Sequence, residues 1–191
     1  IINVLDLPDS SSNSYNATIA FGLDEGNAFI VESGSTAILL GGTGSDSYSL
    51  EETGEFVIVD SGGENDILFI PATYDELSVA LVNNGQDLVL YNSSDMGIWL
   101  PDWQNPNRKI EKFFLFDGVY SNADLQEAVS LYGIDYPNAV AEQYNISAES
   151  VAPLSKLFTY LADVNSSNYD DLITFDTSSA VGSDALINYF F

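Results

Sequence analysis

The stretch Gly41-Gly42-Thr43-Gly44-Ser45-Asp46-Ser47-Tyr48-Ser49 sets three glycines and one aspartate within six residues. Glycine accepts positive φ and lets another backbone approach closely. Carbonyls freed by such a turn, with a carboxylate at its end, make an oxygen-only cradle, the donor set of a hard cation such as Ca2+. A second cluster follows at Ser61-Gly62-Gly63-Glu64-Asn65-Asp66, just after Asp60, and a looser one stands at Gly22-Leu23-Asp24-Glu25-Gly26-Asn27. The candidate metal ligands are therefore Gly41, Gly42, Gly44 and Asp46 in the best-formed turn. The next turn adds Asp60, Gly62, Gly63, Asn65 and Asp66, and the loosest adds Asp24. Ordinary turn chemistry is the alternative at each, because Gly, Asp and Asn favour turns whatever else they do.

Other chemistry is scarce. The 191 residues contain no His and no Cys. That removes the commonest general base, thiol catalysis, disulfides and imidazole or thiolate metal sites, and leaves oxygen ligands. No Ser-His pair exists to build a nucleophile. The adjacent acids Glu51-Glu52 and Asp170-Asp171 point to opposite faces if extended, which does not suit a glycosidase pair. No segment spells an EF-hand loop. The chain is not expected to be an enzyme. Against 29 acidic residues stand four basic ones, a formal net charge of -25. Nucleic acid and anionic membrane are excluded as direct partners. A compact state of such charge repels itself, so a cation should help it form. Arg108, Lys109 and Lys112 supply three of the four basic residues and are expected to neutralise nearby acids. Trp99 and Trp103, around Pro101, either cover an open end of the fold or make a platform for a glycan or peptide ligand.

The elements that would position these turns are short. The first glycines of the three clusters lie 19 and 21 residues apart. Between them run Ala28-Phe29-Ile30-Val31, Ala37-Ile38-Leu39-Leu40, Ser47-Tyr48-Ser49-Leu50, Phe56-Val57-Ile58-Val59 and Ile67-Leu68-Phe69-Ile70. Strands of about four residues thus alternate with turns, also at Ser33-Gly34-Ser35-Thr36 and Glu51-Glu52-Thr53-Gly54. One circuit takes about twice the nine-residue period of a parallel β-helix. Period-two alternation sends Tyr48 and Leu68 inward. Three same-side turns leave two gaps, so about two calcium ions are expected.

Gly41, Gly42, Gly44, Asp46 and Tyr48 match every specified position of G-G-x-G-x-D-x-U-x, and Gly62, Gly63 and Asp66 keep part of it. The chain resembles the RTX family, the calcium-binding β-roll proteins exported by bacterial type I secretion. Downstream, Asn83-Asn84-Gly85-Gln86 stands between alternating runs and predicts a hairpin. Met96-Gly97-Ile98-Trp99-Leu100, Asp102-Trp103 and Ile110-Glu111-Lys112-Phe113-Phe114-Leu115-Phe116-Asp117-Gly118 follow. That order is similar to the haemolysin-type calcium-binding related segment that caps RTX rolls. The two resemblances cover roughly residues 22 to 125.

The resemblance implies a mainly β fold: a lead-in over 1–21, a short parallel β-roll over 22–74, an antiparallel β cap over 75–121, and a helical or mixed C-terminal region over 122–191. In that last region Asn122 is expected to cap a helix ending near Gly133. Pro137 opens a second helix, and Leu154, Leu157, Phe158 and Leu161 form an apolar stripe. The end Ala185-Leu186-Ile187-Asn188-Tyr189-Phe190-Phe191 is compatible with an uncleaved export signal. The opening at Ile1, without Met or signal peptide, suggests a piece of a longer chain. The implied function is calcium-dependent folding and secretion at the C-terminus of a large extracellular bacterial protein, with the type I secretion machinery as partner. A ligand-binding module of an adhesin and the C-terminal part of a secreted enzyme are the rival readings.

Overall fold

A computed structural model describes residues 2–4, 17–32, 35–51, 53–92 and 96–132, together with residues 156 and 159. These are mostly β: twelve strands in two sheets, and one helix of eleven residues. The strands are β1 (Ile2–Val4), β2 (Ala17–Phe21), β3 (Ala28–Val31), β4 (Ser35–Leu40), β5 (Ser47–Ser49) and β6 (Gly54–Val59). They continue with β7 (Ile67–Phe69), β8 (Ser78–Val82), β9 (Asp87–Tyr91), β10 (Met96–Leu100), β11 (Lys112–Leu115) and β12 (Gly118–Ser121).

The first seven strands alternate between the sheets. One sheet has the order β1-β3-β5-β7-β11-β12 and the other β2-β4-β6-β10-β9-β8. All pairs from β1 to β7 are parallel, as are β7 with β11 and β6 with β10. Each circuit therefore adds one strand to each sheet. The layering begins ahead of Gly22, since β1 and β2 pair with β3 and β4. It ends in antiparallel pairs: the β8–β9 hairpin beside β10, and β11 with β12. Asn83 and Asn84 take φ 51° and 56°, which the Asn-Asn-Gly turn accommodates.

The core lies between the sheets. In register across the first sheet, Phe29, Tyr48, Leu68 and Phe113 form one fully buried column. The rings of Phe29 and Tyr48 stack at 5.1 Å. Ala37, Phe56, Ile98, Leu90 and Val79 face them from the second sheet. The second sheet is apolar on both sides: Ile38, Val57, Val59, Val89 and Trp99 are also buried, outside that core. The uninterrupted apolar runs of β4 and β6 are what such a sheet requires.

The helix α1 (Asn122–Tyr132) packs against β8 and β12 through Leu125, Ala128 and Val129. Its cap differs from the expected one. Asp124 Oδ2 accepts both the Ser121 amide and hydroxyl at 2.7 Å, so Ser121 is the cap. Asn122 instead donates its side-chain amide to the Ile110 carbonyl at 2.6 Å. The expected second helix, the stripe at Leu154, Leu157, Phe158 and Leu161, and the export signal lie outside the described residues.

Candidate metal centre

Four connections run from the second sheet to the first on the same side: 22–27, 41–46, 60–66 and 101–111. Strand register stacks them. Phe21, Leu40 and Val59 are in line, so Gly22, Gly41 and Asp60 open the first three turns at equivalent positions. Ala28, Ser47, Ile67 and Lys112 are in line, so Asn27, Asp46, Asp66 and Glu111 close all four. The third turn has one residue more than the first two, and Gly62 takes φ 127° within it.

Glycine is required where the turns touch. A Cβ on Gly42 would collide with the Leu23 carbonyl oxygen, and one on Gly44 would lie 2.5 Å from the Gly26 nitrogen. A Cβ on Gly63 would lie 2.5 Å from the Gly44 carbonyl oxygen. The turns therefore pack backbone against backbone.

The closing residues form a ladder. Asp46 Oδ1 accepts the Asn27 amide at 2.6 Å, Asp66 Oδ1 accepts the Asp46 amide at 2.7 Å, and Glu111 Oε2 accepts the Asp66 amide at 2.7 Å. Each carboxylate thus binds the backbone of the preceding layer.

Asp46, Asp60 and Asp66 converge between the second and third turns. They are 1%, 2% and 0% exposed, and each offers an oxygen within 4.8 Å of the others. Asp46 Oδ2 takes the Gly42 amide at 3.0 Å. Asp60 Oδ1 takes the Gly62 amide and Oδ2 the Tyr48 hydroxyl, both at 2.7 Å. Asp66 Oδ2 is buried and receives no hydrogen bond from the described residues. A Cβ on Gly41 would collide with the Tyr48 hydroxyl and lie 2.7 Å from Asp46 Oδ2 and 2.8 Å from Asp60 Oδ2, so glycine there makes room for the hydroxyl and the two carboxylates to converge.

Burial of three carboxyls together disfavours their charge. Asp60 is pushed up to about 8, by burial first and then by Asp66. Asp66 is pushed up to about 7 by burial, with Glu111 and Asp46 adding repulsion against the Asp46 amide bond. Burial also raises Asp46, against the bonds from Asn27 and Gly42. Burial and the neighbouring Asp60 hold Tyr48 well above the usual phenol range, so it remains a donor. Three buried acids with one orphan oxygen fit a bound metal ion.

Of the expected ligands, Asp46, Asp60 and Asp66 share this cradle with Gly41. Gly42 and Gly62 serve it through their amides, and Gly63 lies against both Asp66 oxygens. Gly44 acts as a spacer against the first turn. Asp24 and Asn65 stand apart: Asp24 is exposed beside the Thr43 hydroxyl at 3.4 Å, and Asn65 accepts from Lys112 at 3.2 Å. Tyr48 and Glu111 both lie in quoted motifs, Tyr48 as an inward-pointing residue and Glu111 in the capping segment, but neither motif marks the hydroxyl or the carboxylate for the role it has here. Trp99 and Trp103 are 1% and 4% exposed, so neither indole presents a face for a glycan or peptide to stack on.

No protein-family model matches the chain, and no curated protein matches it.

Proposed function

We propose that the chain is a calcium-stabilised folding module of the RTX kind, belonging to the C-terminal part of an extracellular protein exported by the type I secretion machinery. The observation that carries this reading is the cradle of Asp46, Asp60 and Asp66 with the unpaired Asp66 Oδ2. Stacked turns joined by short parallel strands in two sheets are the arrangement the resemblance implies, and they support it. An oxygen-only site of three carboxylates suits a hard cation, and the larger, flexibly coordinated Ca2+ fits an irregular turn better than Mg2+.

Calcium bound there would supply the counter-charge that makes three ionised acids compatible with burial. The chain's own residues do the rest. The glycines bring the turns into contact, the Asn27–Asp46–Asp66–Glu111 ladder fixes their spacing, and Tyr48 orients Asp60. In calcium-poor cytosol the acids oppose compaction and the chain stays extended enough for export. Outside, ligation favours the fold, by about 1.4 kcal/mol per site when free calcium is about ten times Kd.

Thermal melting and circular dichroism with calcium titrated against EGTA test the reading. Calcium is expected to raise the melting temperature and magnesium to do so far less. A transition indifferent to calcium overturns it. Loss of export on deleting residues 185–191 supports the secretion role, and unchanged export removes it.

A further inference from the structure

We infer that the described turns hold one metal ion, in the middle gap, because the chain's own N–H donors fill the gaps on either side. This rests on the metal reading above and replaces the two ions that counting turns suggests.

In the first gap, between 22–27 and 41–46, the Asn27 side-chain amide is the centre of an oxygen cluster. Its Nδ2 donates to the Leu23 carbonyl at 2.9 Å, to the Glu25 carbonyl at 2.5 Å and, across the gap, to Asp46 Oδ1 at 3.2 Å. Two carbonyls of one turn and a carboxylate of the next are the donors a hard cation would take. Here a neutral nitrogen takes them. Asn27 stands at the ladder position held by aspartate in the next two layers.

In the last gap, between 60–66 and 101–111, the guanidinium of Arg108 is buried. Its Nη1 donates to the Asp60 carbonyl at 3.3 Å and its Nε lies 3.4 Å from Asp102 Oδ2. A carbonyl of one layer and a carboxylate of the next are again bridged, now by a covalently attached cation. Its planar fork suits a site that must stay closed without metal. The middle gap differs in holding the buried carboxylates of Asp46, Asp60 and Asp66, with one oxygen of Asp66 undonated.

The experiment counts tightly bound calcium by equilibrium dialysis on the intact chain, in magnesium and near-physiological salt. The wild type is expected to hold one ion and Asp60→Asn none. Asn27→Asp, which replaces the stand-in amide by a carboxylate, is expected to hold two. Asn27→Ala, which removes the amide without adding charge, should still hold one. Should Asn27→Asp fold poorly in chelator, its melting temperature must rise more with calcium than that of the wild type. A wild type that binds no calcium overturns the metal reading itself. A wild type that binds two or more ions refutes this inference alone, and so does an Asn27→Asp protein that still binds one or shows no larger calcium-dependent rise.

Discussion

Asp60→Asn should raise stability without calcium and abolish most of the stabilisation that calcium gives, so that the two proteins melt close together in saturating calcium. The substitution keeps the shape of the side chain. The carbonyl oxygen of the new side-chain amide can still accept the Gly62 N–H, and its NH2 can donate to the Tyr48 oxygen that formerly donated. What the change removes is a carboxyl pushed from 3.8 up to about 8 in the fold. A group whose folded pKa is raised contributes stability that is fully present below its unfolded pKa, near 4, and lost as the pH rises through about 8. At about 1.4 kcal/mol per pKa unit, ionising Asp60 in place costs on the order of 5 kcal/mol. Relaxation of the turn and entry of water reduce this, so about half is a reasonable expectation. For a chain of this length about 2.5 kcal/mol corresponds to about 5–10 °C in melting temperature.

Melting curves in EGTA at about pH 8 should therefore show Asp60→Asn above the wild type by about that amount, with the difference vanishing towards about pH 4. In calcium at about a hundred times Kd the wild type should gain about 2.7 kcal/mol and the variant little, because a neutral amide lacks the anionic oxygens that a divalent cation takes. A variant that melts below the wild type in EGTA at alkaline pH, or that keeps the full calcium gain, refutes the placement of Asp60 as a charge held for metal.

Gly42→Ala should cost about 2–3 kcal/mol with or without calcium, because its Cβ meets the Leu23 carbonyl and the first two turns must separate; urea unfolding in both conditions checks this, and a change within about 0.5 kcal/mol contradicts the close stacking. Asp87→Ala should cost about 2–4 kcal/mol equally in EGTA and calcium, since buried Asp87 accepts from Trp99 Nε1 at 3.2 Å and the Asp102 amide at 2.8 Å. A calcium-dependent loss there would mean that Asp87 acts on the metal centre.

The strands were legible because their period and their turns agree. The five short β-type runs coincide with β3 to β7 within two residues at either end, and Tyr48 and Leu68 point inward as alternation requires. The hairpin at Asn83-Asn84-Gly85 was legible for the same reason: only residues tolerant of positive φ fit there. Other features depend on distance through space rather than along the chain. β1 and β2 join the layers across a segment with no glycine motif. The fourth turn, 101–111, follows an excursion through β8 and β9, so nothing in its spacing marks Glu111 as the next rung after Asp66. Asp24 and Asn65 satisfy the composition of a ligand turn, yet both are exposed and bond to Thr43 and Lys112 instead.

The ladder shows why counting motif aspartates overstates metal sites. Asp46 and Asp66 would hold their layers together without any ion, since each accepts the amide of the preceding layer, and Glu111 does the same in a turn without the glycine-rich repeat. An aspartate at that position is thus accounted for by backbone satisfaction alone. What backbone satisfaction leaves unexplained is narrower. Asp60 occupies a position that is glycine in both preceding turns, takes its backbone amide from Gly62 of its own turn, and is buried against two other acids. Asp66 keeps a second oxygen with no donor among the described residues. Burying such groups without compensation costs several kcal/mol, and both lie in the middle gap. The signal for metal is therefore the extra acid and the orphan oxygen rather than the repeat. That is also why Asn27, one substitution away from the repeat's aspartate, closes its gap so differently.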